Sequence, residues 1–266
     1  MLLDSILKPR AVAVVGASTR PHTIGSDLLK RLIEFGFKGG IYPVNPKGGE
    51  IEGLRAYKTV ANLPDGVDLA VIVVNASRVL EAVDECHAKG IKGLVVISAG
   101  FKETGAEGAK LELELLERVR AHGMRMVGPN CLGVVNTNPE ISLDACFAES
   151  LPVAGDIGFV SQSGALGGGI LNILKDLNLG FAQFVSIGNQ ADVNAETALE
   201  YWENDPEVKQ ILLYMESIPD PVNFRRLASR ISKKKPVLAL KAGRSAAGAS
   251  AASSHTGSLA GGDRAA

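Results

Sequence analysis

The chain has 266 residues, room for two domains of ordinary size. Hydrophobic residues make up 46% and charged residues 21%, which excludes a disordered chain. The balance of 28 Lys and Arg against 29 Asp and Glu leaves no broad basic surface and argues against a nucleic-acid partner. Three cysteines, Cys86, Cys131 and Cys146, are an odd number at irregular spacing. They point to reduced thiols in a cytoplasmic protein rather than a disulfide framework or a zinc site. Residues 1–8 are too short and mixed for a signal peptide, and no apolar run has membrane-spanning length, so no membrane contact is expected.

Strand and helix patterns alternate from the start. Residues 11–15 form a β-branched run that stops at Gly16, and 25–35 have helical periodicity closed by Gly36. A second strand over 40–44 stops at Asn45-Pro46, and a third covers 69–74. A helix over about 76–89 closes at Gly90, a fourth strand spans 93–98, and a charged helix spans 111–120. Residues 125–127 lead into Gly128-Pro129-Asn130. Continuous apolar strands separated by amphipathic helices predict a parallel sheet covered on both faces. Residues 1–137 are therefore expected to be a doubly wound, Rossmann-like domain.

Between 137 and 153 the rhythm is lost, with Asn138-Pro139 and Leu151-Pro152 as punctuation, which predicts a linker. The alternation restarts with strands over 156–160, 181–187, 208–215 and 236–240 and helices over 166–177, 195–203 and 222–232. Residues 150–266 are thus expected to be a second α/β domain with a parallel sheet. Residues 242–254 are nearly all Ala, Gly and Ser, with Arg244 the single charge, and run into Ser254-His255-Thr256-Gly257. That composition suits a flexible linker. It also suits a loop that must approach a ligand closely, and ligand sites in open α/β sheets lie beyond the carboxyl ends of strands.

Several strand ends carry residues suited to a nucleotide-like ligand. Gly16-Ala17-Ser18 ends the first strand where a helix begins, so backbone N–H groups can approach a phosphate. The spacing is not G-x-G-x-x-G, because the next glycine is Gly25. The second strand ends in Asn45 and Lys47, where an NAD-binding domain has an acid for the ribose hydroxyls; a cation there suits the phosphorylated ribose of coenzyme A. Val74 and Asn75, then Ser98, Ala99 and Gly100, end the next two strands and leave room for a pantetheine arm, and Asn130 adds an amide. Cys131 reads as a small buried thiol rather than a nucleophile.

In the second half, Ser161-Gln162-Ser163-Gly164 sits where a helix starts. Serine is a favoured N-cap, but two hydroxyls, an amide and a glycine suit a phosphoryl group better than a cap alone. Ser161, Ser163 and Gly164 are the candidate phosphate ligands. His22, His87 and His122 read as surface or capping residues. His255 lies in the small-residue loop, where a neutral imidazole can attack phosphorus. Glu216, after the apolar strand over 211–215, is the candidate carboxylate to hold its other ring nitrogen.

These pieces, with Gly188-Asn189-Gln190-Ala191-Asp192, together resemble the α part of ADP-forming acyl-CoA synthetases, relatives of the succinyl-CoA synthetase α subunit. The resemblance covers essentially the whole chain, and Ser254-His255-Thr256-Gly257 is its most specific motif. It implies a Rossmann-like CoA-binding domain followed by a flavodoxin-like ligase domain. It implies an acetate–CoA ligase type of reaction in which acyl-CoA and phosphate give acyl phosphate and CoA. His255 then takes the phosphoryl group, with Glu216 as its partner, and hands it to ADP. The nucleotide and Mg2+ are implied to sit on an ATP-grasp β subunit or fused segment that this stretch lacks. The implied partners are CoA, a short carboxylic acid and phosphate, and the implied assembly is an oligomer. The other reading of the same architecture is a noncatalytic CoA- or acyl-CoA-sensing domain fused to a protein acetyltransferase; the presence of His255 with Glu216 favours the ligase.

Overall fold

The computed structural model describes residues 3–243; His255 and its motif lie outside them. A short helix α1 (Asp4–Leu7) precedes strand β1 (Ala11–Val15), and α2 (Ile24–Glu34) leads to β2 (Gly40–Val44). A hairpin of β3 (Gly49–Ile51) and β4 (Leu54–Ala56) follows, then β5 (Leu69–Ile72), α3 (Val79–Ala88), β6 (Gly93–Val96), α4 (Ala106–Ala121) and β7 (Arg125–Val127). All five strands of the first sheet are parallel, in the order β2-β1-β5-β6-β7. Every residue of β1, β5 and β6 is buried, because helices cover both faces; this is why those strands read as unbroken apolar runs. Counting only the sheet's own strands, the order is second-first-third-fourth-fifth. The direction of winding reverses between β1 and β5, and a crevice opens there beyond the carboxyl ends of the strands.

The second sheet begins earlier than the sequence pattern indicates. Strands β8 (Gly133–Asn136) and β9 (Leu143–Cys146) form an antiparallel pair, and β8 pairs antiparallel with β11. So Gly133–Asn136, read with the first domain, and Leu143–Cys146, read as linker, are sheet strands with every residue buried. Two features hide them. Each has four residues, too few for a periodicity, and Asp144 interrupts the apolar run of β9. The structure neutralises that charge with Arg31 of α2, whose Nε lies 3.1 Å from Asp144 Oδ2.

The remaining elements are β10 (Ala154–Ser161), α5 (Gly164–Asp176), β11 (Phe181–Ser186), α6 (Ala195–Trp202), β12 (Gln210–Met215), α7 (Pro221–Ile231) and β13 (Val237–Lys241). The order of the second sheet is β13-β12-β10-β11-β8-β9, with the first four strands parallel. Here the winding reverses between β10 and β12, which places a second crevice beyond Ser161 and Met215. The two sheets share one core, in which Leu28 and Leu29 of α2 belong to the same buried cluster as Val134, Ala145 and Val185. Among the described residues no helix is long and apolar enough to cross a membrane.

Candidate functional site

At the first crevice, Gly16 follows β1 with φ +100°, and a Cβ there would lie 2.5 Å from the Val73 carbonyl oxygen. The loop from β1 therefore presses against the end of β5, and only glycine fits. Asn45 ties the end of β2 to this loop: its Nδ2 donates to the Ala17 carbonyl at 2.7 Å, and its Oδ1 accepts from the Lys47 N–H at 2.9 Å. A cavity of about 370 Å³ gathers Ser18, Arg20, Asn45 and Lys47. Beside it a cavity of about 290 Å³ is lined by Gly16, Val74, Lys58 and Arg78. Three sequence-predicted positions, Ser18, Asn45 and Lys47, thus share one cavity with Arg20, which the motif reading did not include. Asn75 does something else: it is exposed, and its Oδ1 accepts from the N–H and hydroxyl of Ser77, capping the turn that follows β5.

A cavity of about 740 Å³ begins at the same strand ends. Val73 and Val74 after β5 and Ile97, Ser98 and Ala99 after β6 form one wall. Ser98 is held there by its hydroxyl, which donates to the Val74 carbonyl at 2.6 Å. Gly100 turns the chain with φ +110°, and its N–H donates to Glu103 Oε1 at 2.6 Å. Asn130 also lines the cavity, in a left-handed conformation at φ +56°, with its N–H on the Ser98 carbonyl at 3.0 Å. Cys131 is buried and its Sγ lies 3.3 Å from the Val96 carbonyl. Burial pushes its thiol up to about 12, so at neutral pH it is no thiolate nucleophile.

The far wall of this cavity belongs to the second crevice. Gln162, Gly164 and Ala165 line it, together with Leu132, Phe147 and Gly188. Ser163 is the N-cap of α5 and accepts from the Leu166 N–H at 3.3 Å, so the open end of a 13-residue helix points its first amides towards the cavity. The Ser161 hydroxyl is fully buried and donates to the Ser163 carbonyl at 2.6 Å. Its visible part is to shape the turn that presents Ser163 and Gly164.

Glu216 follows β12 directly and is 4% exposed, so it is no ordinary surface acid. Gln162 locks it in place across the switch point. The Gln162 Oε1 accepts from the N–H of Glu216 at 2.8 Å and of Ser217 at 3.0 Å, while its Nε2 donates to the Ser217 hydroxyl at 3.1 Å. Gln190 Nε2 donates to the same hydroxyl at 2.9 Å. The structure thus brings Glu216, the α5 start and the Ser98–Asn130 wall to the same end of the two sheets. Among the described residues no group of His, Cys, Asp and Glu could hold a metal ion.

The relatives match in the same two pieces. Residues 10–137 match the family described as CoA binding domain, and residues 154–266 the family described as succinyl-CoA ligase like flavodoxin domain. The α subunit of acetate–CoA ligase [ADP-forming] I from Pyrococcus furiosus is 46% identical across 99% of this chain. The chain belongs to the ADP-forming acyl-CoA synthetase family. A 4-hydroxybutyrate–CoA ligase [ADP-forming] from Nitrosopumilus maritimus is 39% identical across 97% of this chain. A dinucleotide forming acetyl-coenzyme A synthetase from Ca. Korarchaeum cryptofilum, solved with phosphate and ADP, superimposes with a TM-score of 0.92 at 43% identity over 98% of this chain. The chain spans 58% of the first of these proteins, 37% of the second and 56% of the third.

Within this synthetase fold, sequence reasoning missed Glu103, Glu112 and the wall residues Leu132 and Phe147. Glu103 and Glu112 lie in a segment that reads only as a charged, solvated helix start. Their signal is a partner 77 to 86 residues away, Asn189, which no local pattern announces.

Proposed function

We propose that the protein containing this chain is an ADP-forming acyl-CoA synthetase of the acetate–CoA ligase type, and that this chain supplies its CoA site and its phosphohistidine. The observation that carries this reading is the single 740 Å³ cavity joining the two switch points. It brings a CoA-sized approach from Val74, Ser98 and Asn130 up to the phosphate-suited start of α5. Ser18, Lys47 and the amides after Gly16 receive the phosphates of CoA, and Ala17, Val74, Ala99 and Gly100 leave the pantetheine arm a narrow passage. The Gly16 turn and the helix behind it fit such a ligand.

In the synthetic direction of the nucleotide, phosphate held by Ser163 and the Gly164 amide attacks the thioester carbonyl. The C–S bond breaks, and CoA leaves as acyl phosphate forms. A ring nitrogen of His255 then attacks phosphorus, and the P–O bond to the carboxylate breaks, releasing the acid. Glu216 accepts the N–H of the other ring nitrogen and stabilises the positive charge on the ring. The phosphoryl group passes to ADP on an ATP-grasp subunit or segment, which also supplies Mg2+. Relatives are named for acetate, 4-hydroxybutyrate and trans-ferulate, so the family scaffold accommodates different acids. A short acid is the reading for this chain. The reaction is that of a cytoplasmic enzyme, and CoA and ADP are its soluble partners.

Calorimetric titration of the intact protein with CoA, dephospho-CoA and NAD tests the binding half. CoA is expected to bind about 10-fold more tightly than dephospho-CoA, with Lys47→Ala removing the difference, because a cation on the 3′-phosphate contributes a charge-assisted hydrogen bond. NAD binding as tight as CoA overturns the assignment.

A further inference from the structure

Asn189 follows β11, yet every polar atom it owns is engaged by the first half of the chain. Its Nδ2 donates to Glu103 Oε2 at 2.6 Å and to Glu112 Oε2 at 2.7 Å. Its Oδ1 accepts from Asn130 Nδ2 at 3.2 Å. Its backbone N–H donates to the Pro129 carbonyl at 2.9 Å, and its carbonyl accepts from Lys102 Nζ. Lys102 also pairs with Glu112, N to O 3.3 Å. The side chain is 1% exposed, so these bonds form away from competing water.

Glu103 passes this restraint on. Its Oε2 is held by Asn189, and its Oε1 accepts from two consecutive amides, Gly100 at 2.6 Å and Phe101 at 3.1 Å. Partial burial acts to raise this carboxyl, but the hydrogen bonds from Asn189, Gly100 and Phe101 outweigh it and leave it below its usual range. A carboxylate gripping two amides fixes the loop after β6, and Glu103 itself lines the cavity beside Ser98 and Ala99. Asn130, the other amide on that wall, is held by Asn189 directly.

We infer that Asn189 is a positioning residue for CoA, setting from the second sheet the shape of the first sheet's Ser98–Phe101 and Asn130 wall. It touches no ligand itself and acts through Glu103 and Asn130. This rests on the CoA site proposed above and goes beyond it by naming the residue that couples the two crevices. The coupling has a direct consequence: a distortion of the loop after β11, beside the phosphoryl site, changes CoA affinity.

The test uses the intact enzyme with its ATP-grasp part. Asn189→Ala is expected to raise the Kd for CoA about 10-fold in calorimetric titration, while ATP-driven phosphate labelling of the protein changes less than about 2-fold. Glu103→Gln keeps the shape but turns an amide N–H towards Asn189 or Gly100, and is expected to weaken CoA binding similarly. The two substitutions together are expected to cost little more than either alone, because both break one linkage. An unchanged CoA Kd in folded Asn189→Ala overturns the inference, and so do additive losses in the pair. An equal loss of CoA binding and labelling also overturns it, by showing a general structural role. A parent enzyme that binds no CoA ends the functional reading itself and this inference with it.

Discussion

Glu216→Gln in the intact enzyme is expected to slow phosphoryl transfer to His255 by about 10²- to 10⁴-fold, the range that a charge partner of a reacting imidazole contributes. The substitution keeps the volume of the side chain and removes its charge. Glu216 is buried at the carboxyl end of β12, and its backbone N–H is already fixed by Gln162 at 2.8 Å, so the position of the residue should survive the change. What is lost is the acceptor that sets the imidazole tautomer and the anion that stabilises a phosphorylated ring. CoA affinity should stay within about 2-fold, because Glu216 belongs to the β10–β12 switch point and CoA enters from the β1–β5 one. Rapid-quench labelling and CoA titration on the same variant separate the two. Equal loss of both assigns Glu216 a folding role instead.

Arg31→Ala should destabilise the protein by about 3–5 kcal/mol, the cost of stranding one member of a buried ion pair. Asp144 is fully buried in β9, and Arg31 of α2 approaches it at 3.1 Å while also donating to the Glu149 carbonyl at 3.3 Å and to that of Ser150. Removing the guanidinium leaves a carboxylate inside the core that the two sheets share. At about 2–4 °C per kcal/mol the melting temperature should fall by roughly 10 °C. The loss carries a pH signature. Burial raises the Asp144 carboxyl to about 7 even with Arg31 beside it, above its ordinary value of 3.8. A folded value above the unfolded one means that the native state holds the proton more tightly. This contribution to stability is full below 3.8 and is lost as pH rises through about 7. Without Arg31 the carboxyl is pushed higher still, so the destabilisation should be larger at pH 8 than at pH 5. Denaturant unfolding at the two pH values checks this, and an equal loss at both would contradict an ionic origin.

The parts of the fold legible from sequence were those that local chemistry dictates. Runs such as Ala11–Val15 and Leu69–Ile72 are apolar because helices bury both faces of a parallel sheet, and glycines and Asn-Pro pairs mark where they stop. The turn at Gly16 was legible for a related reason: the chain leaving β1 passes so close to the Val73 carbonyl that only glycine fits. Strands β8 and β9 were not, since both are short and antiparallel and β9 is broken by a charge whose partner lies 113 residues earlier in the chain. Nor was the meeting of the two crevices. That depends on sheet order, which places β1 beside β5 and β10 beside β12 although neither pair is consecutive. Gln162 was visible as part of a motif, but its grip on the backbone of Glu216 and Ser217 was not. The α4 helix begins at Ala106, five residues before its apolar pattern starts, since Ala106, Glu107 and Ala109 of its first turn are exposed and its one buried residue there, Gly108, has no side chain to show a pattern. The hairpin Gly49–Ile51 with Leu54–Ala56 and the four-residue α1 are simply too short to leave a periodic signal.

Labelling the intact enzyme with γ-phosphate-labelled ATP and mapping the modified residue tests the central claim directly. The expected product is an acid-labile, base-stable phosphate on the imidazole of His255, discharged by ADP and absent from His255→Ala. A label of the same stability that persists in His255→Ala would place the phosphoryl carrier elsewhere and contradict the account.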